Sequence, residues 1–262
     1  MSEQRVTTMI EGGIADVRLS RPEKMNALDP QMFAALAGTI LRLGETPGLR
    51  CVVLSGEGRA FCAGLDMASM ATGGSGASLE ARNCGGDSNL YQQAAWGWRT
   101  LPVPVIAAVH GIAFGGGFQV MGGADIRICA PATRLSIMEL KWGIVPDMAG
   151  FALWRTIVRD DVLRELVYTA REFDAAEALA HGFVTRLADD PHAAAMDLAR
   201  QIAARHPQAV RAAKRLANLA ADAAPATILR AESEEQARLM RTPNQLEAVR
   251  ANMADRVPVF TD

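Results

Sequence analysis

Val105-Ile106-Ala107-Ala108-Val109-His110-Gly111-Ile112-Ala113-Phe114-Gly115-Gly116-Gly117 joins an apolar run to a glycine triplet. A second stretch repeats the arrangement upstream: Cys51-Val52-Val53-Leu54 is followed by Ala60-Phe61-Cys62-Ala63-Gly64-Leu65-Asp66. Short, unbroken apolar runs of this kind read as strands buried on both faces. Glycine lets the following loops approach a ligand closely and take positive φ, so that their amide N–H groups can converge on one oxygen. The two loops therefore read as halves of one anion-binding site, although a glycine triplet alone is equally a tight turn. Neither a Walker A pattern nor G-x-G-x-x-G accompanies them, which disfavours a nucleotide phosphate site.

Working outward, residues 5–11 and 14–20 flank Gly12-Gly13 and predict a hairpin. Asp29-Pro30 supplies an N-cap and an N1 proline for a helix whose Met32, Phe33, Leu36, Ile40, Leu41 and Leu43 fall at helical spacing. Residues 103–109 and 126–129 predict further strands, alternating with helices in βαβ fashion, and 117–122 predicts a helix opening at Gly116. Residues 67–89, rich in Gly, Ser and Ala, read as a mobile loop beside the first glycine loop. From 149 onward the pattern is helical, punctuated at Gly182, Pro191, Pro207, Pro225 and Pro243, with only 183–187 resembling a strand. The alanine-rich segments there need a partner surface for stability, and another subunit would supply one.

The chain has 262 residues, 50% of them hydrophobic and 21% charged, with a formal net charge of -2. That balance favours neither nucleic acid nor membrane as a partner. No apolar run reaches the ~20 residues of a membrane span, and the first residues lack a signal-peptide core, so a cytoplasmic location is expected. Cys51, Cys62, Cys84 and Cys129 lack zinc-like or C-x-x-C spacing. Arg205, Arg211, Lys214 and Arg215 cluster on one segment and offer a weak RNA-binding alternative.

Two acidic residues stand out. Glu139 lies in a mostly apolar stretch, 135–143, and Asp147 follows in Val145-Pro146-Asp147. A carboxylate in such surroundings is desolvated, and its pKa rises toward values useful for proton transfer. A salt-bridge or capping role is the alternative for each.

With these residues assembled, the chain resembles the crotonase, or enoyl-CoA hydratase/isomerase, superfamily over nearly its whole length. Three ordered signatures carry the resemblance: Arg21-Pro22-Glu23-Lys24-Met25-Asn26-Ala27-Leu28, Gly58-Arg59-Ala60-Phe61-Cys62-Ala63-Gly64-Leu65-Asp66, and His110-Gly111 with Gly115-Gly116-Gly117. The resemblance implies an α/β fold, a crotonase-like spiral of ββα/βαβ turns with a helical C-terminal region. It divides the chain into a core at 1–195 holding an acyl-CoA site and a helical trimerisation region at 196–262, assembled as a homotrimer or homohexamer. It implies a coenzyme A thioester as substrate, no cofactor and no metal. The oxyanion-hole donors would be the backbone N–H groups of Leu65 and Gly116. Lys24, Ala27, Leu28, Ala63, Gly64 and Asp66 fall where relatives hold coenzyme A, with Lys24 alternatively a plain surface cation. His110 is expected to shape the turn, and Cys62 has no partner that would activate its thiol.

The pattern also departs from the family. Hydratases carry one catalytic glutamate just after the glycine triplet, where this chain has Gln119, and a second at the position of Glu139. Glutamine exchanges no proton at neutral pH but can orient water. Asp147 resembles an acidic residue of the dienoyl-CoA isomerase branch. The resemblance thus implies an enzyme of fatty-acid metabolism that hydrates an enoyl-CoA or shifts its double bond, using Glu139, Asp147 and Gln119. The alternative is a catalytically weakened acyl-CoA-binding homologue.

Overall fold

The computed structural model describes residues 4–71, 76–82, 84 and 86–262. It opens with the hairpin β1 (Val6–Glu11) and β2 (Ile14–Leu19), whose two-residue turn places Gly12 and Gly13 at φ +57° and +78°. Both positive values belong to the turn that suits the twist of paired strands. Helix α1 (Pro30–Gly44) follows, its Asp29 side chain accepting from Met32 N at 2.7 Å, and then β3 (Cys51–Gly56). Next come α2 (Met67–Ala71), α3 (Leu90–Thr100), β4 (Val105–Val109), β5 (Ile112–Phe114), α4 (Gly116–Gly122), β6 (Ile126–Cys129) and β7 (Arg134–Ser136). The remainder is α5 (Gly150–Trp154), α6 (Asp160–Thr169), β8 (Glu172–Asp174), α7 (Ala175–His181), β9 (Arg186–Leu187), α8 (Pro191–Ala203), α9 (Pro207–Ala220), α10 (Pro225–Leu239) and α11 (Pro243–Met253).

Six strands form one sheet in the order β1-β2-β3-β4-β6-β9, parallel except for the opening hairpin. A second sheet, β5-β7-β8, stands beside it. Strands β3 and β4 alternate between two cores. Cys51, Val53, Ile106 and Ala108 pack with Ala195, Ala199 and Ala203 of α8, whereas Val52, Leu54, Val105 and Ala107 join the larger core with Leu36, Trp98 and Phe118. Burial on both faces is why these strands read as unbroken apolar runs.

Several expectations are corrected here. The alanine face of α8 finds its partner in the chain's own sheet, and Leu41, counted with the apolar positions of α1, is exposed. The segment 67–89 begins with the helix α2, although 72–75, 83 and 85 lie outside the described residues. Strands β5, β7 and β8, three residues each, were not expected, and only Arg186–Leu187 of 183–187 is strand. The four prolines expected after residue 190 as breaks or starts are starts, each at the first position of a helix, α8 to α11 in turn.

The basic cluster is spent on tying down the C-terminal helices. Lys214 is buried, pairs with Asp125 at 2.8 Å and donates to the carbonyls of Trp98 and Val103. Arg215 pairs with Glu235, and Arg211 donates to Leu49 O. No helix among the described residues is long and apolar enough to cross a membrane.

Candidate active site

The first glycine loop is stitched to its neighbours by single parallel bridges. Cys62 N donates to Ile112 O, and Cys62 O accepts from Phe114 N, both at 3.1 Å. Three residues on, Leu28 N donates to Gly64 O at 2.7 Å and Leu28 O accepts from Asp66 N at 3.1 Å. In a parallel bridge the residue flanked by those two bonds turns its own N–H away, so Leu65 N–H is left for another acceptor. Gly64 has φ +85°, and a Cβ there would lie 2.5 Å from Phe114 O. Only glycine meets both conditions.

The second loop reaches the same place through β5. Gly115 N donates to Ser136 O, and the helical ladder of α4 begins with Gln119 N donating to Gly115 O, each at 3.0 Å. Gly116 is the first residue of α4, so its N–H has no partner within the helix. A Cβ on Gly117 would lie 2.4 Å from Cys62 O, which shows how tightly the first turn of α4 presses on the other loop. Leu65 and Gly116 line one cavity of about 770 Å³.

Pairing of β5 with β7 sets Phe114 opposite Ser136 and so carries Glu139, three residues on, beside Gly115. Gly115 has φ +48°, which favours glycine, and a Cβ there would lie in ordinary contact, 3.5 Å from Glu139 Oε1. Glu139 is only 6% exposed. Its Oε1 accepts from Gln119 Nε2 at 2.5 Å, while Oε2 is buried without a hydrogen-bond partner. Desolvation raises the Glu139 pKa above the usual carboxylate range, and the nearby Asp147 charge adds to the rise. The donors at its own and Met138's backbone and at Gln119 oppose it.

Gln119 is fully committed at its oxygen end. Oε1 accepts from Met148 N and Gly150 N, both at 2.9 Å, across a residue, Ala149, held at φ +70°. Alternate N–H groups around a left-handed residue converge into a small anion-seeking nest. These bonds fix which end of the amide faces Glu139. Asp147, next to the nest, is exposed and makes no ion pair among the described residues, yet the surrounding protein desolvates its carboxyl enough to raise its pKa.

Of the residues expected from the sequence, Leu28, Ala63, Gly64, Leu65, Gly116, Gln119, Glu139 and Asp147 line this cavity. Lys24, Ala27 and Asp66 do not. Lys24 is exposed at the end of a short 3-10 turn, and Ala27 is buried behind Leu28. The Asp66 carboxylate pairs with Arg21 at 2.5 Å and accepts from Ala68 N and Ser69 N, capping α2, so its pKa is lowered chiefly by Arg21. Cys62 is buried, its Sγ donates to Asn26 O, and burial pushes its pKa up to about 12, which leaves a thiol and no nucleophile. His110 Nε2 bonds Gly58 O at 2.9 Å, as expected of a residue that shapes the turn.

The sequence reading missed the supports. Asn26, buried at φ +56°, donates to Glu57 O, Ala60 O and Phe61 O, while its Oδ1 accepts from Arg21 N. Arg21 itself bridges Ala27 O and Asp66, the residues preceding Leu28 and following Leu65. The available signal was an asparagine, tolerant of left-handed backbone, between two charged residues and an apolar run.

The sequence profile of the enoyl-CoA hydratase/isomerase family matches residues 9–262. Among curated proteins, a carnitinyl-CoA dehydratase of Salmonella arizonae is 35% identical across 80% of this chain and 79% of its own length. The mouse mitochondrial Delta(3,5)-Delta(2,4)-dienoyl-CoA isomerase is 32% identical across 79% of this chain and 66% of its own. Among solved structures, an enoyl-CoA hydratase from Bacillus anthracis superposes with a TM-score of 0.89 at 27% identity, covering 98% of this chain and 99% of that one. With matching signatures, fold and relatives, the chain belongs to the enoyl-CoA hydratase/isomerase, or crotonase, family.

Proposed function

We propose that the protein moves a carbon–carbon double bond along an acyl-CoA thioester. The Leu65 and Gly116 N–H groups serve as an oxyanion hole for the thioester oxygen, worth about 2.7–4 kcal/mol per donor as charge develops. Glu139 takes the proton from the α-carbon, and the C–H electron pair enters the carbonyl to give an enolate. The pair then returns along the chain to bind a proton from Asp147 at the remote carbon. A proton passed from Glu139 to Asp147 restores the starting state, so nothing is consumed.

The observation that carries this reading is the engagement of Gln119. Its amide is tied to Glu139 and to two backbone N–H groups, which makes it a positioning residue and leaves Glu139 and Asp147 as the proton carriers. Two desolvated carboxyls that repel one another hold a proton at a pH where isolated ones would have lost both. The likeness to the dienoyl-CoA isomerase supports the same reaction. Hydration or dehydration is the second reading, favoured by the dehydratase relative, with Glu139 activating or releasing water. Exposed apolar side chains on α10, α11 and the following tail, including Leu229, Val249, Met253 and Val257, support self-association into a trimer or a pair of trimers.

Incubation with 3-enoyl, 3,5-dienoyl and 2-enoyl thioesters, followed by absorbance of the conjugated thioester, tests the reaction. Gain of conjugation that Glu139→Gln abolishes is expected. Loss of the 2-enoyl signal without any gain from the other two would favour hydration, and no change with any of them would refute an enzyme of this kind.

A further inference from the structure

Most residues other than glycine that take left-handed backbone in this chain stand where helices end, a place where that conformation satisfies orphan carbonyls. Met25 and Ala170 are such caps, and Arg241 and Asp255 follow the caps of α10 and α11. Ala149 is different. At φ +70° and ψ 11° it opens α5, at a position whose backbone is ordinarily extended. A residue with a Cβ holds that conformation at a cost, which persists only where the surroundings over-determine it.

Both neighbours of Ala149 are pinned. Met148 sets its sulfur against the start of α4, where a Cβ on Gly116 would lie 2.9 Å from Sδ. Gly150 is wedged on the other side, since a Cβ there would lie 2.5 Å from the Trp154 ring and 2.8 Å from Gln119 Oε1. The turn between them aims the Met148 and Gly150 N–H groups at that one oxygen, while the other end of the amide donates to Glu139. A single side chain thus spans from Glu139 to the segment that carries Asp147. The Asp147 carboxyl depends on that tether, because among the described residues no other side chain bonds it and only its own backbone N–H does. Building on the double-bond reading above, we infer that Ala149 is a positioning residue, whose left-handed turn, locked onto Gln119, sets where the Asp147 carboxyl stands relative to Glu139 and so governs delivery of the proton to the remote carbon. Ala149 does not itself line the cavity, so its effect passes through Asp147 and leaves substrate binding alone.

The test follows conjugation of a 3-enoyl thioester by variants of the full chain, with thermal unfolding to establish that each is folded. Valine resists left-handed backbone, whereas asparagine, of similar size, tolerates it. Ala149→Val is expected to lose about a hundredfold in kcat, the scale of a reacting group displaced by about 1 Å, with KM within about twofold of the wild type. Ala149→Leu, also averse to that turn, replaces it should valine prevent folding. Ala149→Asn and Ala149→Gly keep the turn and are expected to hold kcat within about threefold. In an Asp147→Asn background, Ala149→Val should cost less than about threefold more, because the group it positions is already gone. Equal losses from valine and asparagine, a rise in KM in place of the fall in kcat, or a full second loss on top of Asp147→Asn would each overturn the inference. No conjugation by the wild type would instead remove the double-bond reading, and the inference with it.

Discussion

Replacing Gln119 by glutamate probes the arrangement of the site most directly. In the wild type, Oε1 accepts from Met148 N and Gly150 N while Nε2 donates to Glu139 Oε1 at 2.5 Å. Glutamate keeps the first pair of bonds, because a carboxylate oxygen accepts at least as well as an amide oxygen. Its other oxygen then faces Glu139 Oε1 where an N–H stood, and two ionised oxygens cannot occupy that distance, so the pair must hold a proton. At an effective dielectric of 20, two charges about 4 Å apart repel by about 4 kcal/mol, an upper bound near three pKa units. The pH profile of kcat for double-bond migration should therefore move its acidic limb upward by roughly two units, with activity lost at pH values where the wild type still turns over and recovered in alkali. The assay is conjugation of a 3-enoyl thioester across pH, with thermal unfolding as a control for the fold. An unshifted limb would refute the claim that Gln119 acts through Glu139.

Glu139→Gln is expected to abolish turnover yet stabilise the protein by roughly 1 kcal/mol at neutral pH. Because the folded-state pKa of Glu139 is raised above 4.5, the native state binds more protons, and stability falls as pH climbs through the raised value. The variant should lose that slope in denaturant titrations taken at several pH values. Gly117→Ala drives a methyl against Cys62 O, a backbone atom that no side-chain rotation relieves, so stability should drop by about 1–3 kcal/mol and kcat by more than KM changes. Lys214→Met leaves the Asp125 carboxylate without its closest cation in the interior and should cost about 3–5 kcal/mol, read as a lower urea midpoint with unaltered KM in the surviving native fraction.

Much of the large sheet was legible because its signals are local. Gly12-Gly13 fixes the hairpin, Asp29-Pro30 caps α1, and the prolines after 190 open four helices, each through the chemistry of one or two residues. The small sheet was not legible. Strands of three residues such as Ile112–Phe114 and Glu172–Asp174 carry too little periodicity, and they exist because pairing across long separations supplies the hydrogen bonds. At the site, the glycines and the acids were visible as residue types in signature positions. What Gln119 and Asp66 bond to was not, because those partners, Met148, Gly150 and Arg21, come together only in three dimensions.

The backbone bridges that hold Cys62 to Ala113 and Leu28 to Leu65 tie the paired N–H groups to the rigid sheets before any ligand arrives. Met67, Ser69 and Leu79, from the stretch that follows the first loop, border the same cavity yet take no part in those bridges. Lengthening, shortening or recomposing that stretch would reshape what enters while the reactive end stays in register. The backbone that fixes the two N–H groups and the side chains that shape the cavity's wall thus lie on different parts of the chain, and a lineage built on this scaffold can change one while keeping the other.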